Sequence, residues 1–481
     1  MRPVSGIVNT AKPRMTAAHE SQNIESQSGK GHGTRISYRR LLAFFLPLAA
    51  TPFLISSTHN IINAALARLP APEITIAVFS VVKSFTNAIK APVLISGQIS
   101  TAIADSRQSY VVTTKFVWGV AGFYIGVLLV LGYTPVGGLF LRHVMGLHDP
   151  AAIAIGYRAM RITAFLPIVE ALRDSNRGIL IARQRTGIVS IATLVRLVAI
   201  VGLVLAALAT RAIPGIELAA ITWAGGIGVE ALVVFGSLFL LLGSPLRAAE
   251  AVPQRNAKQP TTRSVFAFFL PLAIMVTLRS ALHPLIQAGI ARGVGSATHA
   301  LAVYGVTWGL VLNVVAPLQL LHNCSIVFAP SRDHASWPRV LWFCATIGAL
   351  MTAILLVLAL TPAGGYFFTR VLGVSEAIAS EASRAVLAFS LLPLFWAYRE
   401  AYWGVMMRRQ KTGGIGVGKA VNVISAGAAM LLLFGPLRGV VAIPPSIAGA
   451  LSLTFGELVE TVLVVRAAVR EDGRPNTSRA A

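Results

Sequence analysis

Read along its length, this chain is a succession of long apolar runs broken by short polar stretches. Twelve runs stand out, at about 39–64, 75–103, 115–133, 153–182, 187–210, 216–243, 263–290, 299–328, 338–361, 377–408, 413–435 and 440–468. Each is ~20 residues or longer, the length a helix needs to cross a ~30 Å hydrocarbon core. The alternating pattern of an outer-membrane barrel strand is absent. The pattern therefore predicts an all-α polytopic membrane protein with twelve transmembrane helices. Gly- and Pro-containing pieces at 134–148 and 362–374 read as short interfacial helices. Residues 1–38 are polar with no periodic apolar face, which predicts a disordered tail. They also lack the apolar core of a signal peptide. Residues 246–262 read as a polar linker and 471–481 as a second disordered tail.

The twelve runs are two sets of six. Arg39–Arg68 reads RRLLAFFLPLAATPFLISSTHNIINAALAR, and Arg263–Arg292 reads RSVFAFFLPLAIMVTLRSALHPLIQAGIAR, with fifteen identities in thirty positions. Shared Leu and Ala follow from composition alone. Shared AFFLPLA, His59/His283 and Arg68/Arg292 in one register do not. The match continues through Ala91-Pro92 with Ala316-Pro317 and through Arg173…Gly178…Thr186-Gly187 with Arg399…Gly404…Thr412-Gly413. Residues 39–245 and 263–470 are thus expected to be two versions of one six-helix unit. Six is even, so the copies run in the same direction. Parallel-repeat transporters place a substrate cavity between their halves. Arg and Lys cluster before span one, after span four, in the linker and after span ten, while the opposite loops carry about one each. The positive-inside rule then puts both termini in the cytoplasm of a multi-pass cell-membrane protein.

Composition agrees: 55% of residues are hydrophobic and 12% charged, where a soluble domain carries about 25%. The net charge of +23 sits largely in tails and loops, with no basic stripe interleaved with aromatics, so nucleic-acid binding is not expected. The two cysteines, Cys324 and Cys344, lie in apolar segments and read as small buried hydrophobes. Neither a phosphate-cradling Gly-rich loop, HExxH nor paired Cys at metal spacing occurs. The expectation is a transporter rather than an enzyme, with no cofactor or metal, acting as a monomer in the bilayer. The coupling ion is left open.

The chemistry lies in polar groups inside the apolar runs, which cost at least ~2.5–3.5 kcal/mol each and so face a cavity or a partner. His59 and Asn63 share a face of span one, and Arg279, His283 and Gln287 share one of span seven. Lys83, Asn87 and Lys90 do so in span two, with no carboxylate in that run, and Asn313 adds an amide from span eight. Spans four and ten carry Arg173 and Arg399, each followed by an acid, Asp174 and Glu400. Cavity-lining cations suit an anionic substrate, since guanidinium offers bidentate contacts to phosphate or carboxylate. The expected substrate-binding set is His59, Asn63, Lys83, Asn87, Lys90, Arg173, Arg279, His283, Gln287, Asn313 and Arg399. Blander readings stand beside it. Arg173/Asp174 and Arg399/Glu400 also read as structural ion pairs, Arg158 and Arg161 as snorkelling groups, and Glu457 and Glu460 as packing or interfacial groups. His59 and His283 read equally as core histidines or as cavity walls able to carry a proton. Pro47 and Pro271 are expected to kink their helices.

With its two parallel six-helix halves, the chain resembles the superfamily of multidrug extrusion proteins (MATE) and polysaccharide-lipid flippases (MOP). Within it, FFLPLAATPF with NAALAR, FLPIVEALRDSNRGILIARQRTG, FFLPLAIMVTLRSALHPLIQAGIARGVGSATHALAVYG and LLPLFWAYREAYWGVMMRRQKTG are similar to the progressive ankylosis family. The resemblance implies a two-lobed, V-shaped transporter that moves organic anions such as pyrophosphate, nucleotides or citrate outward by alternating access. The family's pattern has acidic residues in the first span, and the carboxylate used there for cation coupling in multidrug extruders is missing from LISSTHNIINAALAR. Alternative readings are a flippase for lipids with a pyrophosphate headgroup, a multidrug cation antiporter, and a membrane scaffold without transport.

Overall fold

The computed structural model describes residues 36–472 except 105, 184, 211–212, 245–246, 248–259, 294, 330–333, 409–412 and 435–442. The tail 1–35, most of the linker and residues 473–481 therefore lie outside the described residues, as do Arg409 and Lys411. Among the described residues all regular structure is helical. Among them, twelve spans are long and apolar enough to cross a membrane. They are α1 (Tyr38–Leu66), α2 (Pro72–Thr101), α3 (Arg107–Tyr133), α4 (Pro150–Ala182), α5 (Gly187–Thr210), α6 (Gly215–Leu240), α7 (Thr262–Ala291), α8 (Ala297–Phe328), α9 (Trp337–Leu360), α10 (Glu376–Met407), α11 (Gly414–Phe434) and α12 (Pro445–Arg470).

Most boundaries fall within a few residues of those expected from hydropathy. The largest difference is α3, which starts at Arg107 rather than near residue 115. A capping box explains it: the Ser106 hydroxyl accepts from Ser109 N at 3.2 Å, and the Ser109 hydroxyl accepts from Ser106 N at 2.8 Å. The cap fixes the first turn although its residues are polar. Helices α1 and α7 run unbroken through Pro47 and Pro271. The breaks come elsewhere, and they come in pairs. Ala91–Ile95 in α2 and Ala316–Leu320 in α8 tighten to 3-10 turns at Pro92 and Pro317. Helices α4 and α10 break just before Leu166-Pro167 and Leu392-Pro393. Proline lacks the amide donor and its ring crowds the preceding turn, so each pair bends its helix at the same depth.

The short pieces expected at 134–148 and 362–374 are helical, Pro135–Leu139 followed by a wider turn at Phe140–Val144, and Pro362–Tyr366 followed by Phe367–Leu372. Each begins in contact that only glycine permits. A Cβ at Gly137 would overlap the Leu131 carbonyl, and one at Gly364 the Leu358 carbonyl. Each ends on a glycine with positive φ, Gly146 at 74° and Gly373 at 78°.

Apolar side chains are sorted by neighbour rather than by water. Phe79, Phe85, Leu66 and Ile76 are buried between helices, whereas Phe123, Leu240 and Leu431 are 65%, 88% and 76% exposed on the outside, as a lipid-facing surface requires. Cys324 and Cys344 are free and buried. The two lobes meet where α1 packs on α8, α2 on α7, and α2 on α8.

On the face opposite the start of α1, the lobes are tied by a reciprocal pair of arginines. Arg68, ending α1, reaches across to the second lobe and donates to the carbonyls of Leu372 at 3.1 Å and Val371 at 2.9 Å. Arg292, ending α7, reaches the first lobe and donates to those of His143 at 2.5 Å and Val144 at 2.9 Å. The carbonyls belong to the last turn of the two short pieces, where a helix end leaves acceptors unpaired and negative. Beside them His299 joins Glu73 of the first lobe (3.4 Å) to Glu381 of the second (3.1 Å).

Candidate functional site

Between the lobes lies a cavity of about 290 Å³. Helix α2 contributes Ser80, Lys83, Ser84, Asn87 and Leu94, and α7 contributes Arg279, Ser280, Leu282, His283 and Gln287. Helix α8 adds Gly305, Trp308, Leu312 and Gln319, while Trp396, Arg399, Lys419, Leu453 and Glu457 come from α10, α11 and α12. The lining runs from mid-helix toward the face where α1 starts. The opposite face is the one closed by the arginine clasp.

Of the sequence-expected residues, Lys83, Asn87, Arg279, His283, Gln287 and Arg399 come together here. His59 stands directly behind, its Nδ1 3.2 Å from the Lys83 ammonium. Lys83 and Arg279 form no ion pair among the described residues; Arg279 donates only to the Gln319 carbonyl oxygen at 3.1 Å, and Lys83 lies 5.8 Å from the Phe79 ring. Gln287 ties the lobes together at the cavity wall. Its amide donates to Ser80 Oγ at 2.7 Å, and its carbonyl oxygen accepts from the Ser84 hydroxyl. His283 meets Tyr304 OH at 3.2 Å and leans on Trp308 at 4.3 Å.

Besides His59, four of the expected residues fall outside the cavity lining. Asn63 is buried and donates to the Gly305 carbonyl at 3.5 Å, and Asn313 donates to Ser57 Oγ at 2.7 Å. Lys90 is 2% exposed and grips both Glu170 oxygens at 2.6 Å. Arg173 binds Asp174 at 2.9 and 3.0 Å and lies 3.6 Å from Glu230, which also takes Arg196 at 3.0 Å. The sequence reading asked whether a carboxylate shared the cation's own helix. The partners of Lys90 and Arg196 come from neighbouring helices, which periodicity does not reveal. Glu457 and Glu460 are correspondingly not interfacial: they are 3% and 0% exposed. Glu460 accepts from Lys419 at 2.6 Å and from the Asn422 amide at 2.5 Å, and Arg399 pairs with Glu457, Glu460 and Glu400. The Arg399 guanidinium is also flanked by Trp396 and Trp403 at 5.2 and 4.7 Å. Arg158 is half exposed with Glu217 3.4 Å away.

Sequence reasoning missed Lys419, Glu457, Trp308 and Trp396 as cavity residues, and Arg196 as a buried cation. A signal existed for two of them, since Lys419 and Arg196 are lone charges inside spans eleven and five.

A buried pair is most sensitive to loss of one member. Glu170→Ala is expected to destabilise the protein by about 3–5 kcal/mol, because it strands the Lys90 ammonium in an apolar wall. Lys90→Met combined with Glu170→Leu should recover most of that loss. Thermal unfolding in detergent measures both.

A family resemblance comes from the second lobe. Residues 253–472 match the family model of the progressive ankylosis protein (ANKH). Among curated proteins none matches the chain by sequence. Solved structures share its fold at low identity. A multidrug-resistance MATE transporter of the MOP superfamily, in an inward-facing conformation, aligns with a TM-score of 0.69 and 10% identity over 88% of this chain and 97% of its own. The Lipid II flippase MurJ, inward closed, gives 0.65 and 10% over 87% of each chain. A MOP superfamily transporter from Pyrococcus furiosus, described as having a binding pocket of reverse polarity, gives 0.62 and 10% over 89% and 95%. These neighbours show that the chain shares the MATE/MOP fold, and its twelve apolar spans are those of a multi-pass membrane protein.

Proposed function

We propose that this protein is a secondary transporter that exports small organic or phosphorylated anions, of the pyrophosphate, nucleotide or citrate kind, by alternating access between its two lobes. One observation carries the reading. Lys83 from the first lobe and Arg279 from the second line the same cavity with no ion pair among the described residues, while the other cations of the wall, Arg399 and Lys419, are held by Glu457 and Glu460. A cation left unpaired in a membrane is costly unless a ligand completes it. Asn87 and Ser280 add neutral hydrogen-bonding groups, and Trp308 and Trp396 add aromatic walls. A multidrug cation would meet repulsion from the same two groups.

The test is counterflow in proteoliposomes, with labelled citrate, pyrophosphate and ATP set against a cationic dye and a fluorescent lipid-linked pyrophosphate. Saturable movement of one soluble anion is the expected result. Movement of the lipid alone would make the protein a flippase whose cavity holds a pyrophosphate headgroup, and movement of the dye alone would overturn the anionic reading.

A further inference from the structure

The two lobes repeat each other closely enough that a place where they differ is informative. Gly178 packs on the Gly97 carbonyl and on Ser100, and Gly404 packs on the His322 carbonyl and on Ser325. The contact of α2 with α4 in the first lobe is therefore that of α8 with α10 in the second, and His322 occupies the position of Gly97. One residue before each glycine, Trp403 occupies the position of Arg177.

In the second lobe this position is filled. The His322 imidazole lies 2.8 Å from Glu400, the Trp403 indole covers Arg399, and Phe44 of α1 packs edge-on against Phe328 with ring centroids 5.0 Å apart. In the first lobe the imidazole is replaced by no side chain and the indole by a guanidinium. A groove of about 610 Å³ opens there, at the seam with α7, lined by Leu94, Gln98, Thr101, Arg177, Ile181 and Phe268, with Arg173 and Asp174 at its base.

The charges at that base are not equivalent. Both Asp174 oxygens accept from Arg173, so that pair is satisfied. Arg177 has no ion pair among the described residues, and its Nε is buried without a hydrogen-bond partner. A guanidinium in this condition wants an oxyanion, and its planar fork fits a phosphate. Its flanks are apolar and open: Leu94, which also lines the substrate cavity, Ile181 and Phe268 are 37%, 40% and 39% exposed. A ligand that satisfies both features carries a phosphate head and a hydrocarbon tail.

We propose that this groove is a binding site for the headgroup of an anionic phospholipid, with the phosphate on Arg177, the Gln98 amide beside it and an acyl chain against Phe268 and Ile181. The site is separate from the substrate cavity, with Leu94 standing between them. The lipid rests against both lobes at once, since Phe268 belongs to the second and the other groups to the first.

The experiment uses the full chain in detergent and native mass spectrometry, offering phosphatidylglycerol, phosphatidylcholine or inorganic phosphate alone. The unaltered protein is expected to retain phosphatidylglycerol in preference to phosphatidylcholine. Arg177→Gln should weaken that retention about tenfold or more, the loss of a charge-assisted contact. Arg177→Lys should keep part of it. Arg177→Trp, which installs the residue of the second lobe, should abolish it, and Arg158→Gln, at an exposed cation in the same helix, should leave it unchanged. Unaltered phosphatidylglycerol retention in Arg177→Gln would overturn the site. Saturation by inorganic phosphate with no lipid preference would overturn the lipid assignment and leave a free-anion site.

Discussion

Replacing Lys83 and Arg279 together with glutamine is expected to reduce anion flux about a hundredfold or more while leaving the protein folded. Each ammonium or guanidinium contact to a charged ligand is worth about 1.5–3 kcal/mol, and each 1.4 kcal/mol is tenfold in affinity. Both side chains line the cavity and neither forms an ion pair among the described residues, while the nearby Glu457 is held by Arg399 and Lys419, so their removal leaves that carboxylate paired. Glutamine keeps a hydrogen-bonding head on a shorter stem and deletes the charge. Single variants should each lose roughly tenfold or more, mainly as a raised apparent KM, because they act on the same bound anion from opposite lobes. The control is Lys90→Gln, whose loss should appear as lowered stability, since Lys90 serves Glu170. Full flux in the double variant with intact folding would remove these two residues from the site. Loss of folding with no change in the specific flux of the remaining protein would assign them to structure instead.

The contrast between Lys83 and Lys90 shows how far one sequence can be read. Both lie on one face of α2, two turns apart, and hydropathy treats them alike. Twelve spans and the presence of polar groups inside them were legible because they depend on spacing along the chain and on the cost of charge in hydrocarbon. Which cation meets a carboxylate is decided by helix packing. Lys90 points to α4 and finds Glu170, and Lys83 faces the seam between lobes and finds His59. The same limit hid the pairing of Arg399 with Glu457 and Glu460, though the adjacent Arg399–Glu400 contact was visible in the chain. Arg68 and Arg292 carried the opposite kind of information. Their identity in both repeats marked them, and their loop position made them read as orientation charges. Only the three-dimensional crossing of the lobes gives them partners.

That crossing makes the second large prediction. Arg68→Ala combined with Arg292→Ala is expected to release the closed face and shift the protein toward the opposite opening. Each guanidinium donates to two or more carbonyls of the other lobe. At about 0.5–1.5 kcal/mol net per bond, losing both clasps removes of order 3 kcal/mol, about a hundredfold in the ratio of closed to open forms. Two features argue that the clasp is tuned and is more than incidental contact. Each acceptor turn ends on a glycine with positive φ, and at Gly373 a Cβ would lie 3.3 Å from the Arg68 guanidinium carbon, so the guanidinium lies against space that only glycine leaves. The arginines also emerge from helices α1 and α7, of which α7 carries Arg279 on the cavity wall and α1 carries His59 against Lys83, so that substrate and clasp act on connected elements. The measurement is labelling of a cysteine placed at Ser280 in the cavity by a membrane-impermeant maleimide, applied from the clasped face. Cys324 and Cys344 are buried and give a low background. Labelling should rise tenfold or more in the double variant and by less in each single one, because either clasp alone still bridges the lobes. Unchanged labelling, with protein that remains folded, would mean that the Glu73–His299–Glu381 contact and the packing of α2 on α8 hold this face closed, and that the arginines only cap the two short helices.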